Sequence, residues 1–198
     1  TNRKYSNTYK IAKEYQLILQ DKGIGAGIFS LEDLDVLHYD AAFEKIENEI
    51  LIPSSHFIII SPEYNGSFPG VLKLLFDNSR SHEMWYHKKA LLTGVATGRA
   101  GNLRGMDHLA DVLNFVKITV HPNKLPISMV NKIISPEGDI VDKATIKAID
   151  QQLDEFTFYH FQKLRALCNK EQQDRFDEII QDALRRMASE TFDVLVVG

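Results

Sequence analysis

Apolar residues in this chain fall into two kinds of run. The first kind is short and nearly unbroken. Phe57 to Ile60 is the clearest, unbroken, rich in β-branched residues and ended by Ser61-Pro62. Val194 to Val197 is a second, and Ala90 to Val95, interrupted only by Thr93 and Gly94, is a third. Such runs predict strands buried on both faces. Gly25 to Leu31 and Lys117 to Val120 add two weaker strands, the second ending at His121-Pro122. The expected strands are therefore 25–31, 56–61, 89–95, 117–121 and 193–198. The second kind of run repeats every three or four residues, which predicts helices with one apolar face. Thr8, Ile11, Ala12, Tyr15, Ile18 and Leu19 form one, stopped at Gly23. Phe43, Ile46, Ile50 and Leu51 form a short one. Val71 to Leu75 and Leu103 to Leu113 open two more. Two longer helices follow, one carrying Ile149, Leu153, Phe156, His160 and Leu164, the other Phe176, Ile179, Ile180, Ala183, Leu184 and Met187. Strands alternating with helices predict a parallel sheet covered on both sides, a three-layer α/β architecture. The 198 residues suit one core, so a single domain over 1–198 is expected.

In open parallel sheets, ligands sit beyond the carboxyl ends of the strands. Three segments are expected there. After the 56–61 strand come Pro62-Glu63-Tyr64-Asn65-Gly66-Ser67, then Phe68-Pro69-Gly70 and a helix. Pro62 ends strand pairing, Ser67 is a fair N-cap, and Pro69 suits a first helical turn. Ahead of the first helix, Ser6 or Asn7 can cap it. A capped helix start favours a phosphate, to which Arg3 would add a charge-assisted bond. After the 89–95 strand, Ala96-Thr97-Gly98-Arg99-Ala100-Gly101-Asn102 is a loop whose glycines allow close backbone approach to a ligand. Asn102 is placed to cap the next helix.

Composition narrows the function. The formal net charge of −4 argues against a nucleic-acid partner, which would call for a basic excess. No apolar run approaches 18 residues, so no membrane span is expected, and no signal-peptide pattern stands out. Cys168 is the only cysteine, which excludes an intrachain disulfide and fits a reducing cytoplasm. His82 and His87 are five residues apart, about 140° around a helix, so they do not share a metal-binding face. The segment around Trp85 is expected to be a surface loop with one anchoring ring. His121 reads as a rim or hydrogen-bonded histidine.

The residues PEYNGS (62–67) and PGVLK (69–73), in their strand–loop–helix setting, resemble the corresponding segment of the NAD(P)H-dependent FMN reductases, which include quinone, azo-dye and chromate reductases. The resemblance implies a flavodoxin-like fold with sheet order 2-1-3-4-5. It implies bound FMN, with NADPH or NADH as reductant and a quinone, azo compound or similar small molecule as acceptor. Thr1, Arg3, Ser6, Asn7 and Thr8 match the family's phosphate loop. Pro62, Glu63, Tyr64, Asn65 and Gly66 would line the isoalloxazine. Thr97, Gly98 and Gly101 would touch its edge, although the family's third loop is commonly richer in Ser and Gly. Arg99 or Arg104 would meet a phosphate of NAD(P)H or simply sit in solvent. No catalytic acid or base is implied, and no metal. A homodimer is implied. One departure concerns order: DVLVVG (193–198) reads as the family's first strand and TNRKYSN (1–7) as the phosphate loop that follows it, so the chain resembles a circularly permuted member with Gly198 beside Thr1. The alternatives are a flavodoxin-like FMN electron carrier without direct NAD(P)H turnover, and a module of the same fold without its cofactor.

Overall fold

A computed structural model describes residues 1–166, 169–175, 177, 178 and 194–197. The expectations for Cys168, for the helix positions from Phe176 to Met187 and for Gly198 fall outside the described residues.

The sheet contains β1 (Ala26–Phe29), β2 (His56–Pro62), β3 (Lys89–Val95), β4 (Thr119–Val120), β5 (Leu125–Ile127) and β6 (Val194–Val197). The strand order is β1-β6-β2-β3-β4, with β5 also on β3. Every pairing is parallel. Residues Val194 to Val197 pair with Ala26 to Phe29 on one side and with His56 to Ile59 on the other.

The unbroken run in β2 explains the layering. Phe57 and Ile59 face one apolar cluster, Ile58 and Ile60 the other, and all four are at most 1% exposed. This is the two-residue alternation of a strand with both faces buried. Helix α1 (Asn7–Asp21) and helix α6 (Lys143–Ala166) cover one face through Ile11, Tyr15, Leu19, Ile149 and Leu153. Helices α2 (Ala41–Ile46), α3 (Gly70–Asn78) and α5 (Leu103–Phe115) cover the other through Phe43, Leu75, Phe76, Met106 and Leu109. Each such fully buried side chain contributes roughly 1.5–3 kcal/mol of transfer free energy.

Three local expectations are corrected. The strand expected at 117–121 is split: β4 pairs with Lys89 and Ala90, then the chain leaves at Pro122 and returns as β5 beside Thr93 to Val95. The Gln152 side chain on α6 bridges the gap, donating from Nε2 to the carbonyls of Leu92 at 3.1 Å and Asn123 at 2.8 Å. Ser67 does not cap α3. It belongs to the preceding turn, and Pro69 stands at the N-cap with no side-chain cap bond. The segment around Trp85 is a short helix, α4 (Ser81–Met84), and Trp85 itself is 1% exposed, its ring against Phe57 and Phe76.

Candidate active site

The loop after β2 doubles back on itself. Tyr64 N–H donates to the carbonyl of Ser67 at 2.8 Å, and Ser67 N–H donates to that of Tyr64 at 3.0 Å. Asn65 (φ 52°) and Gly66 (φ 76°) occupy the two central positions. Positive φ at both defines the tight turn for which Asn-Gly is the favoured pair. Glu63 N–H donates to the carbonyl of Val95 at 3.0 Å, tying the start of this loop to the end of β3.

The segment 1–6 approaches the same turn. Thr1 Oγ1 lies 3.1 Å from the Tyr64 hydroxyl, and the Arg3 guanidinium stands over the Tyr64 ring at 4.6 Å. Ser6 is extended and caps α1, its hydroxyl accepting from Tyr9 N–H at 3.2 Å. The leading N–H groups of a helix have no intrahelical partner. Here that end of α1 opens beside the turn, and Asn7 is held there by its amide, which donates to Asn131 Oδ1 at 2.8 Å.

The loop after β3 closes the third side. Ala96 N–H donates to the carbonyl of Ile127, Val130 N–H to that of Ala96, and Met129 N–H to that of Gly98, each at 3.0 Å. Residues 128–130 therefore clamp this loop to the end of β5. Asn102 is fully buried with φ 64°. It stands at the N-cap of α5, but its side-chain amide donates across to the carbonyl of Ser61 at 2.9 Å instead of capping the helix.

Together these segments enclose a cavity of about 600 Å³ beyond the carboxyl ends of β2 and β3, within the range of small-molecule sites. Every residue expected from sequence to hold the flavin lines it, with the exception of Gly101; Arg99 and Arg104, the candidates for a phosphate of NAD(P)H, are not in the lining. Gly101 (φ 57°) lies against β5 instead. A Cβ there would stand 2.7 Å from Pro126 Cβ, so its missing side chain serves packing of the loop. Lys4, Tyr5, Val95, Ala96 and Val130 also line the cavity and were not anticipated. The first two adjoin the phosphate-type loop. Val130 reaches the site through the 128–130 clamp, for which the sequence carries no local signal.

A family model described as NADPH-dependent FMN reductase matches residues 1–132, a stretch that contains all three loops. The chain belongs to this family. An NAD(P)H-dependent FMN reductase of Pseudomonas aeruginosa is 33% identical over 127 residues, 62% of this chain and 67% of that protein. A 2-hydroxy-1,4-benzoquinone reductase of a Burkholderia species is 27% identical over 125 residues, 60% of this chain and 68% of that one. Among solved structures, the flavoenzyme NAD(P)H:(acceptor) oxidoreductase FerB from Paracoccus denitrificans superposes with a TM-score of 0.65 at 23% identity, covering 78% of this chain and 89% of its own. An apo NADH:FMN oxidoreductase superposes with a TM-score of 0.59 at 18% identity, covering 77% and 83%. The fold is thus the flavodoxin-like α/β sandwich with a parallel sheet. Placed in this FMN reductase family, the cavity offers a donor set that fits a flavin mononucleotide. Its lining includes the Arg3 cation, the Ser6 and Thr8 hydroxyls, the Asn7 amide and the start of α1. The same lining includes the Tyr64 ring and the backbone of Gly66 and Gly98.

Proposed function

We propose that this cavity is the FMN site of an FMN-dependent NAD(P)H oxidoreductase that delivers electrons to a quinone, azo compound or similar small acceptor. The observation that carries the reading is the convergence of three independent segments on one cavity: the capped start of α1 with Arg3, the Tyr64–Ser67 turn against which Arg3 rests, and the loop after β3. FMN held here would supply hydride acceptance from nicotinamide and onward electron transfer, while the protein supplies position and electrostatics. In this reading Arg3 leaves the Tyr64 ring to pair with the phosphate, while Ser6, Asn7, Thr8 and the first-turn amides of α1 complete its shell. Thr1 fixes the Tyr64 hydroxyl, and Pro62, Glu63, Asn65 and Gly66 form one wall around the ring system. Thr97 and Gly98 form the other. Gly101 acts from outside by holding the third loop against β5.

The finer architecture belongs to the same proposal. Residues 1–198 form one flavodoxin-like domain, in which β6 stands for the family's first strand of a 2-1-3-4-5 sheet, a circular permutation. The pairing of Val194–Val197 between β1 and β2 supports this. The acting form is a homodimer working in the cytoplasm. Sedimentation velocity tests the first part, with a monomer contradicting it. Steady-state oxidation of NADPH and NADH with a quinone acceptor tests the activity. Turnover with either reductant is expected. FMN binding without any NAD(P)H oxidation would instead identify an electron carrier.

A further inference from the structure

We infer that Arg104 recognises the 2′-phosphate of NADPH and thereby sets the preference between the two nicotinamide reductants; this rests on the reading of the cavity as an FMN site. With FMN in the cavity, a reductant must approach from outside, and its adenosine half must lie along the rim. Arg104 is on the first turn of α5, and its side chain reaches back over the Asn65-Gly66 turn. Its Nη1 lies 3.1 Å from where a Cβ on Gly66 would stand. Gly66 lines the cavity, and the exposed Arg104 stands against this turn without itself lining the cavity.

The surrounding charges leave this guanidinium available. Among the described residues Arg104 has no carboxylate partner. The nearest acid along α5, Asp107, is paired with Lys124 at 2.7 Å. One turn further, on the same face as Arg104, His108 is held through Nδ1 by the Ser67 hydroxyl at 3.1 Å. Arg99 is exposed in the adjoining loop, whose backbone is fixed by the Ser128 hydroxyl donating to the Arg99 carbonyl at 2.7 Å. In a chain of net charge −4, Arg104 and His108 thus stand against the Tyr64–Ser67 turn, and the loop after β3 carries a third basic side chain, Arg99.

The chemistry selects the ligand group. A guanidinium presents a planar fork that matches a phosphate bidentately, whereas a ribose hydroxyl offers it nothing comparable. NADPH and NADH differ at that one position. An acceptor, by contrast, must reach the flavin ring inside the cavity, where Arg104 makes no contribution to the lining. An anionic acceptor is the competing occupant.

The test uses the FMN-loaded enzyme and two variants, Arg104→Ala and Arg104→Lys, with a neutral quinone as acceptor. The ratio of kcat/KM for NADPH to that for NADH is expected to fall about tenfold in Arg104→Ala and to recover partly in Arg104→Lys. The fall should reside in KM. In the wild type, 2′,5′-ADP should inhibit more strongly than 5′-ADP, and Arg104→Ala should erase that difference. FMN content, read by absorbance, reports whether the cavity is intact in each variant. An unchanged NADPH/NADH ratio in a wild type that turns over overturns this inference alone. A ratio that holds while kcat/KM for an anionic hydroxyquinone drops overturns it in favour of an acceptor site. A wild type that holds FMN but oxidises neither reductant overturns the oxidoreductase reading and this inference with it.

Discussion

Replacing Gln152 with Leu isolates the cost of the split edge strand. Gln152 is 1% exposed, and Tyr15 and Thr93 beside it are fully buried. Its Oε1 accepts from the Tyr15 hydroxyl at 2.5 Å, with the Thr93 hydroxyl 3.2 Å away, while the two hydroxyls are 2.6 Å from each other. Its Nε2 serves the carbonyls of Leu92 and Asn123. Leucine fills nearly the same volume, so the cavity contribution is small and the loss is polar. Tyr15 and Thr93 can still bond each other, which leaves one hydroxyl hydrogen without an acceptor. The Leu92 carbonyl, deep in the sheet, loses this donor outright. The Asn123 carbonyl is only part-buried and can turn to water. Each buried group left unpaired costs roughly 1–3 kcal/mol, so the substitution should cost about 3–4 kcal/mol. For a chain of this size each kcal/mol corresponds to about 2–4 °C in Tm, which places the expected drop near 10 °C. Tyr15→Phe removes one hydroxyl while Thr93 can turn to Gln152 Oε1, and should cost only about 1 kcal/mol. Thermal unfolding of the FMN-free protein followed by circular dichroism measures both. A Gln152→Leu protein that melts within about 2 °C of the wild type would refute the assignment of this side chain as the splice between β3, β4 and β5.

Gly66→Val should weaken FMN binding about tenfold or more, because a β-branched residue at φ 76° strains the turn by roughly 1–3 kcal/mol; unchanged affinity in a folded variant, measured by flavin fluorescence titration, would remove this turn from the site. Arg3→Ala should weaken FMN by about 10- to 100-fold, since a hydrogen bond to a charged group contributes roughly 1.5–3 kcal/mol. Riboflavin, which has no phosphate, should bind the variant and the wild type alike, and an equal loss for both ligands would contradict the phosphate role. Burial, reinforced by Lys89, pushes the His56 imidazole down to about 4. The unfolded chain then takes up a proton between pH 6.5 and 4 that the folded state refuses, so this contribution to stability is complete above pH 6.5 and is lost as pH falls through that window. Urea midpoints should decline from pH 7 to pH 4.5, and less steeply in His56→Gln; parallel declines would show that other groups control the acid limb.

Much of the candidate site's geometry was legible because its signals are local. The run Phe57 to Ile60 specifies a strand buried on both faces, and Pro62 to Ser67 carries its own turn chemistry at Asn65 and Gly66. Ser6 caps α1 as its position suggests. What was not legible depends on partners distant in sequence. Nothing near His121 to Lys124 announces that Gln152 will complete the broken strand pairing. Gly101 looked like a ligand contact because a glycine-rich loop does not reveal which face its backbone presents; the approach of Pro126 decides it. Val130 and Asn131 join the site region only once β5 has folded back beside β3. Glu47 shows the same limit away from the site. It is fully buried, accepting from the Tyr39 hydroxyl at 2.6 Å and Arg80 Nε at 2.7 Å, partners 8 and 33 residues away.

The central claim is that the cavity between the Tyr64–Ser67 turn, the start of α1 and the 96–102 loop holds FMN and exchanges electrons with NAD(P)H. The most direct measurement is the visible absorbance spectrum of the purified protein, reconstituted with FMN if colourless, before and after anaerobic addition of NADPH or NADH. The account predicts oxidised-flavin bands that bleach with one or both reductants and return when a quinone is added, with heat releasing FMN. A protein that takes up no FMN, that releases FAD, or whose flavin bands persist with both reductants would contradict it.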